Sequence, residues 1–322
     1  MNDRKAEKAY FHLPGLFEFY EFFKVFLPLF RVHKEYFYDW AEIGSIYGAP
    51  GDCLWGGGRV GYGDNDPKEV CSLMAEYGIS ARLTFSNSMI RQEHLADVKC
   101  NNLCRIFYGL SCLNQAGQNV MRASGEAGQG RVRPGIILTS DLLLNYLKKH
   151  YPDFYFVSST TKVITDWEAF LQELRREDFR YICPDFRLNK NFGEWEKLTQ
   201  EEKNKVEFLC NECCDFGCRT RKACYQAVSS KALGESGPEF HCPSPYGKHG
   251  YVFSRAMKNP GFISVGDIRE TYMPMGFSNF KIEGRSLGSA LILEFILYYM
   301  TKPEYQINVR EAIYLDANLD LF

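Results

Sequence analysis

The sequence has no marked excess of charge of either sign. Its 322 residues include 38 Lys and Arg against 40 Asp and Glu, which gives a formal net charge of −2. This balance excludes the sequence-wide basic field that is typical of nucleic-acid binders, and a local basic patch is all that it allows. The substrate class stays open between a small molecule, a peptide and RNA.

Long apolar runs and dense cysteine are also missing. The apolar stretch that follows Tyr10 is interrupted by prolines and charged residues, which excludes a signal peptide and a stable membrane insertion. The 12 cysteines are too sparse for a small secreted disulfide scaffold. We therefore expect reduced thiols and a cytoplasmic location.

Short apolar runs that end in turn residues alternate with helix-like stretches along most of the chain. The runs predict strands at Trp40–Tyr47, Ala81–Phe85, Gly135–Leu138, Phe154–Val157, Tyr181–Cys183, Val206–Cys210 and Phe277–Ile282. The stretches between them predict helices at Pro67–Tyr77, Ser88–Asn101, Ser140–His150, Asp166–Glu177, Phe192–Lys205 and Leu287–Met300. This alternation favours an α/β fold of the (β/α)8 TIM-barrel-like type, with an open doubly wound sheet as the alternative.

The predicted organisation is one barrel-like domain behind an N-terminal extension. Residues 1–35 are assigned to an amphipathic extension whose helix starts near residue 16. Its aromatic face either covers one end of the core, which we favour, or docks a protein partner or a membrane surface. Residues 36–322 form the barrel-like domain, with insertions near 111–133 and 211–260 where Gly, Cys and polar residues replace the alternation.

Parallel barrels carry their active sites at the carboxyl ends of the strands, so polar residues just after each predicted strand are the candidates for substrate binding. The glycine run at 56–58 leads into the first of them and lacks the Gly-Lys-Ser/Thr ending of a P-loop. Capping of the following helices is the structural alternative for about half of such residues. The substrate-binding candidates are Arg59, Asn87, Asp185, Asn211 and Glu212.

The end of the last predicted strand supplies the catalytic candidates. Lys281 and Glu283 are two residues apart and point the same way from a strand, and Arg285 follows on the next turn. A Lys and a Glu at a barrel mouth can neutralise each other, bind an anion or exchange protons, and the Arg adds a rigid fork for a carboxylate or phosphate. The alternative is a structural network of ion pairs.

Half of the cysteines lie between residues 210 and 242. Cys214, Cys218 and Cys242 could supply three ligands of a [4Fe-4S] cluster, with Cys53 or Cys213 as the fourth. Zinc is the second choice, held by His241, Cys242 and His249. If no metal binds, the cysteines are small buried hydrophobes or reactive thiols.

Two late motifs resemble the collagenase-like peptidase family U-32. One is the closing run from Phe280 to Arg285. The other is an Asn-Glu-x-Cys-x3-Cys-x-x-Arg turn from Asn211 to Arg221, which looks like the uncharacterised anaerobe-type branch of that family. The resemblance implies a barrel-like fold over roughly residues 36–306. In several members four cysteines bind a [4Fe-4S] cluster and support oxygen-independent hydroxylation of tRNA, rRNA or a quinone precursor, while other members are described as peptidases.

Three functions follow from these observations. The first is an iron–sulfur enzyme for oxygen-independent hydroxylation or a related redox modification, with the four cysteines at the cluster and the last strand at the substrate. The second is a peptidase of the collagenase-like type, although we assign no His-Glu-x-x-His zinc motif, no Gly-x-Ser-x-Gly elbow and no Cys–His pair fixed by spacing. The third is a non-enzymatic barrel that binds a ligand or a protein and whose cysteines are structural.

Overall fold

The structure, a computed structural model, describes residues 5–58, 63–121, 132–235, 240–244 and 250–316. Within them eight parallel strands form one sheet in the order β6-β5-β4-β3-β2-β1-β8-β7. The strands are β1 (Ala9–Pro14), β2 (Ala41–Gly48), β3 (Ser80–Phe85), β4 (Gly135–Leu138), β5 (Tyr155–Ser158), β6 (Phe179–Ile182), β7 (Glu207–Leu209) and β8 (Asn279–Lys281).

The sheet curves into a nearly closed barrel. β1 pairs with β2 on one side and with β8 on the other, so the first and last strands are neighbours. β6 and β7 meet through an isolated bridge between Ile182 and Val206. This seam completes a TIM-barrel-like α/β fold, as the sequence predicts.

Helices follow the strands in turn around the barrel. They are α1 (Tyr20–Val32), α2 (Pro67–Tyr77), α3 (Val98–Met121), α4 (Asp141–His150), α5 (Trp167–Leu174), α6 (Phe192–Trp195), α7 (Gln200–Lys205), α8 (Arg221–Ala232), α9 (Phe253–Ala256), α10 (Val265–Asp267), α11 (Ser289–Tyr299) and α12 (Gln306–Arg310). Short 3-10 turns lie at Lys34–Tyr36, Leu54–Gly56, Gln92–Ala96, Thr160–Lys162, Phe186–Leu188 and Pro303–Tyr305, and π-helical turns at Ile268–Tyr272 and Glu311–Asp316.

Each strand predicted from the sequence is present, with its ends shifted by a few residues at most. α2 has the predicted bounds because both ends carry local signals. The Asp66 side chain accepts a hydrogen bond from the Lys68 amide at its start, and Gly78 adopts a left-handed φ of 64° at its end. Strand and helix placement therefore follows closely from periodicity and caps.

One strand, β1, is not predicted. It lies inside residues 1–35, the segment that the sequence assigns to an extension ahead of the barrel. Phe11 faces the helix layer, where its ring is 6.1 Å from that of Tyr299, whereas His12 faces the barrel interior beside Ser45. A buried parallel strand is usually recognised as a continuous apolar run. The polar residue on the inward face of β1 interrupts that run, so the strand is not predicted.

Several helix expectations need correction. α1 begins at Tyr20 rather than near residue 16, and a 3-10 turn replaces the start of the helix predicted at Ser88–Asn101. The helix predicted at Phe192–Lys205 is divided because Thr199 caps α7 through reciprocal hydrogen bonds with Glu202. α3 continues to Met121 into the predicted insertion at 111–133, whose residues 122–131 lie outside the described ranges.

The core lies mainly between the sheet and its helices. α1 buries the aromatic face that the sequence indicates, through Phe22, Phe23, Phe26, Leu27 and Phe30. A smaller apolar cluster, with Ile137 and Val157, fills part of the barrel interior. Across the described ranges, none of the helices combines the length and apolar character that crossing a bilayer requires.

Candidate active site

A cavity of about 460 Å³ opens at the carboxyl end of the barrel. Tyr47 of β2, Thr84 of β3, Ile137 of β4, Leu209 of β7 and Lys281 of β8 contribute to its wall. Catalytic sites of parallel barrels occupy this end, and the volume lies within the range of small-molecule sites. The cavity is therefore the candidate active site.

The three catalytic candidates from the end of the last strand share this cavity. Lys281, Glu283 and Arg285 all line it. The Lys281 Nζ lies 4.2 Å from the centre of the Tyr47 ring and 3.5 Å from Glu207 Oε1. Arg285 Nε lies 3.2 Å from Oε1 of the buried Glu18 carboxylate. Two cations and a carboxylate thus converge at one side of the mouth.

Asn211 fixes the turn that carries Glu283. Its Oδ1 accepts a hydrogen bond of 2.7 Å from the Glu283 amide, and its Nδ2 donates one of 3.1 Å to the Glu283 carbonyl. These two bonds tie the end of β7 to the segment after β8. Asn211 is fully buried, so the structure places it as a clamp on the backbone behind the cavity.

Hydroxyl groups cover much of the remaining wall. Thr84 is buried, and its Oγ1 has no hydrogen-bond partner among the described residues. A ligand group in the cavity would satisfy this hydroxyl, whose isolation costs about 1–3 kcal/mol. The other lining hydroxyls belong to Tyr47, Ser86, Ser159, Thr160, Thr161, Tyr225 and Ser286.

Buried charges lie beneath the cavity, inside the barrel. The Arg82 guanidinium and the Glu207 carboxylate form an ion pair, and Arg82 Nε also donates to Tyr155 Oη at 2.7 Å. Burial by itself raises the pKa of Glu207, but the charges of Arg82 and Lys281 outweigh it and lower that pKa to about 2. Glu207 therefore stays ionised below the cavity floor.

His12 sits beside this pair in a neutral form. Its Nδ1 is 2.8 Å from Ser45 Oγ, and its Nε2 is 3.5 Å from Glu207 Oε2. Burial first, and then the charge of Arg82, lower the pKa of His12 from 6.5 to about 3 despite the carboxylate. His12 is fully buried and is not among the residues that line the cavity, so it contacts the charges beneath the cavity and not a ligand in it.

A second charge network holds the turn after β7. Arg221 pairs with Asp185 at 2.6 Å and also with Glu212. Arg187 binds the same Asp185 carboxylate and donates to the Cys218 carbonyl at 2.8 Å. Glu212 lines the cavity, whereas Asp185 is buried beside its arginine partners and is not among the lining residues.

Of the two remaining substrate-binding candidates, Asn87 is described and is not among the residues that line the cavity. The side-chain amide of Asn87 donates to the carbonyls of Leu54 and Ser229, and its oxygen accepts from the Met89 amide. These bonds make it a junction between loops. Arg59 lies outside the described residues.

The cysteines assigned to a cluster do not converge. Cys214 and Cys218 interact on the turn after β7, and burial raises the pKa of Cys214 to about 12. Cys53 instead lies in the core with its Sγ 3.4 Å from that of Cys100. Cys242 is exposed. Among the residues that the structure describes, no three His, Cys, Asp or Glu side chains are grouped to hold a metal ion.

These donors do not fit a four-cysteine cluster, so no catalytic step is derived through one. The alternative zinc set could not be assembled from described residues either, since His249 lies outside them.

Two features of the site are missed by reasoning from the sequence. Arg82 and Glu207 are charged residues inside predicted apolar strands, and that anomaly is the signal for a polar barrel interior. The second feature corrects the expectation that the chain has no Gly-x-Ser-x-Gly elbow. Residues Gly284-Arg285-Ser286-Leu287-Gly288 have this pattern, and they follow the catalytic candidates Lys281 and Glu283.

Fold and site together define a TIM-barrel-like protein with a charged, hydroxyl-lined cavity at the carboxyl end of its strands. No family model and no curated protein matches the chain. Among solved structures it is similar to the U32 peptidase Mk0906, with 14% sequence identity and a TM-score of 0.45 over 88% of this chain and 96% of that chain.

Proposed function

We propose that the chain is a hydrolase that cleaves short, peptide-like substrates bearing a free carboxylate. The observation that carries the proposal is the shared cavity of Lys281, Glu283 and Arg285 at the carboxyl end of the barrel. Its hydroxyl-rich wall offers donors and acceptors to the amide groups of a peptide. The closing run Phe280 to Arg285, which resembles that of the collagenase-like peptidases, also favours this class.

Each charged group has a distinct role in the proposed reaction. Arg285, already oriented by Glu18, binds the substrate carboxylate through its planar fork. Lys281, whose Nζ lies 3.5 Å from Glu207 Oε1, stabilises negative charge that develops on the scissile carbonyl oxygen. Glu283, held by Asn211, accepts the proton of the attacking group and returns it to the leaving amine.

The test is peptide cleavage followed by chromatography and mass spectrometry. The wild-type chain is incubated with a pool of short peptides with free carboxyl ends, and with the same pool amidated at those ends. We expect cleavage of the first pool and a higher KM for the second, because the amide has no charge for Arg285. Glu283→Gln should lower kcat by about 10²-fold or more, since it removes the proton acceptor.

Glu294→Gln is the matched control because this carboxylate lies on α11 and pairs with Arg310 away from the cavity. It should keep wild-type kcat. A wild-type chain that cleaves neither pool would contradict the proposal, as would an unchanged kcat in Glu283→Gln.

The iron–sulfur hydroxylase predicted from the sequence is the second candidate. One observation favours it: Cys214 and Cys218 share the turn that carries Glu212, which lines the cavity. This candidate requires that ligands other than Cys53 and Cys242 complete a cluster with Cys214 and Cys218. The iron and acid-labile sulfide content of the protein distinguishes the two candidates.

A further inference from the structure

The turn between β8 and α11 has the sequence and position of a nucleophile elbow. Residues 284–288 form a Gly-x-Ser-x-Gly pattern between the end of a parallel strand and the start of a helix. In that arrangement the serine sits on a sharp, strained turn, which exposes its hydroxyl above the sheet. Ser286 has a φ of 67°, and among the described residues Val163 is the other non-glycine residue with positive φ. Such backbone strain is concentrated at functional sites.

Close packing keeps the turn tight. A Cβ on Gly284 would lie 2.3 Å from Ile292 Cδ1 and 3.0 Å from Pro14 Cγ, so a larger residue would push the turn off α11 and β1. Gly288 has a φ of 88°, which the chain needs in order to enter α11. Between these glycines Ser286 is exposed, and it lines the cavity.

The neighbours of Ser286 suit acyl transfer. Lys281 and Glu283 line the same cavity. The Leu287 amide, which follows the serine, donates to the Gly284 carbonyl at 3.1 Å and is therefore engaged within the turn. The donor that serves as half of an oxyanion hole in other elbows is thus occupied here. The Lys281 ammonium, which lines the same cavity, can stabilise the oxyanion in its place.

We propose that Ser286 is the nucleophile of this site and forms an acyl-enzyme intermediate. The proposal rests on the proposed hydrolase function. Ser286 Oγ bonds to the scissile carbonyl carbon while its proton passes to the Glu283 carboxylate, and the C–N bond then breaks as that proton moves to the leaving amine. Water next attacks the ester carbonyl, again giving its proton to Glu283, and the proton returns to Ser286 Oγ as the acid product leaves.

A fluorophosphonate probe tests the nucleophile without a known substrate. It reacts with activated serines by losing fluoride, and mass spectrometry locates the adduct. We expect modification of Ser286 in the folded wild-type chain and none at this position in Ser286→Gly, whose φ suits glycine and so should fold without strain. Ser289→Ala, three residues along and outside the cavity lining, is the matched control and should be modified like the wild type.

Peptide cleavage by the same variants distinguishes a failure of the nucleophile assignment from a failure of the proposed hydrolase function. We expect kcat to fall by at least about 10³-fold in Ser286→Gly. If Ser286→Gly cleaves peptides at the wild-type rate, the nucleophile assignment is wrong and the hydrolase proposal stands. If the wild type is modified at Ser286 but cleaves no peptide, the nucleophile assignment stands and the peptide substrate is wrong. Absence of any adduct at Ser286 in folded wild type overturns the inference.

Discussion

Arg82 and Glu207 join opposite sides of the barrel through its interior, from β3 to β7. Both side chains are fully buried, and each also serves other partners. Removing one member leaves the other charge in a medium that solvates it poorly, which typically costs about 3–5 kcal/mol. We therefore expect Arg82→Met to lower the free energy of unfolding in urea by that amount.

A surface pair provides the comparison for this substitution. Arg310 and Glu294 have side chains that are 42% and 41% exposed, and water screens their attraction. Arg310→Met should cost about 0–1 kcal/mol in the same experiment. If Arg82→Met and Arg310→Met lower the free energy of unfolding equally, the buried pair of Arg82 and Glu207 contributes no more to stability than a surface pair.

His12 makes stability depend on pH. Its pKa is 6.5 when exposed and about 3 in the folded chain, so below pH 6.5 the unfolded state binds a proton that the folded state excludes. Stability should therefore fall as pH is lowered from 6.5 toward 3, by up to about 1.4 kcal/mol per pH unit from this group. Glu207, whose folded pKa is about 2, adds a loss in the same direction below pH 4.5.

The measurement is the urea midpoint of wild type and His12→Gln at several pH values. Between pH 6.5 and 4.5 the variant should show a shallower slope, because it lacks the imidazole that the unfolded wild type protonates in this range. Parallel slopes in that window would mean that His12 is not held neutral by its surroundings.

At the scale of elements, most of the fold follows from local pattern. Buried strands such as β4 are short apolar runs between turns, and α2 carries a cap at each end. The sequence does not predict β1, because its inward face holds His12. It does not predict α8 either, because few residues of that helix are buried. Tertiary contacts determine where these two elements form, and the local periodicity of the sequence carries no information about such contacts.

Arg221 of α8 holds the turn after β7. Arg221, at the start of α8, binds Asp185 and Glu212, and the Glu212 carboxylate accepts from the Cys214 amide at 2.9 Å. Arg221→Met leaves buried carboxylates without this cation. We expect the backbone amides of residues 211–220 to exchange with deuterium at least about tenfold faster.

Lys222→Met on the same helix is the control for exchange, because Lys222 is exposed. It should leave the exchange of residues 211–220 unchanged. If both variants exchange alike, Arg221 does not hold the turn.

For the whole molecule, metal content decides between the two candidate functions. We expect protein prepared without oxygen to carry substoichiometric iron and acid-labile sulfide, and peptide cleavage to survive treatment with a chelator. About four irons per chain, lost in Cys214→Ala or Cys218→Ala, would instead support the cluster enzyme. Cys71→Ala is the control, since this cysteine is buried against α3 and remote in sequence from the turn.

The site as a whole was only partly accessible from the sequence. Lys281, Glu283 and Arg285 could be found because the carboxyl end of a barrel strand is a defined place. Asn87 and Asp185 follow their strands just as closely, yet their groups are bound by backbone carbonyls and arginines. Whether a polar side chain faces the cavity or braces a loop depends on partners far away in the chain, which no local pattern contains.

The adjacency of β1 and β8 has a consequence for synthesis on the ribosome. His12 and Asn279, whose side chains approach to 3.4 Å, are 267 positions apart. β1 is synthesised early, and the edge that pairs with β8 therefore stays unpaired until nearly the whole barrel has been translated. Over that interval β1 is a target for chaperones and for mispairing with nascent chains nearby, so slowing translation before β8 should raise the aggregated fraction.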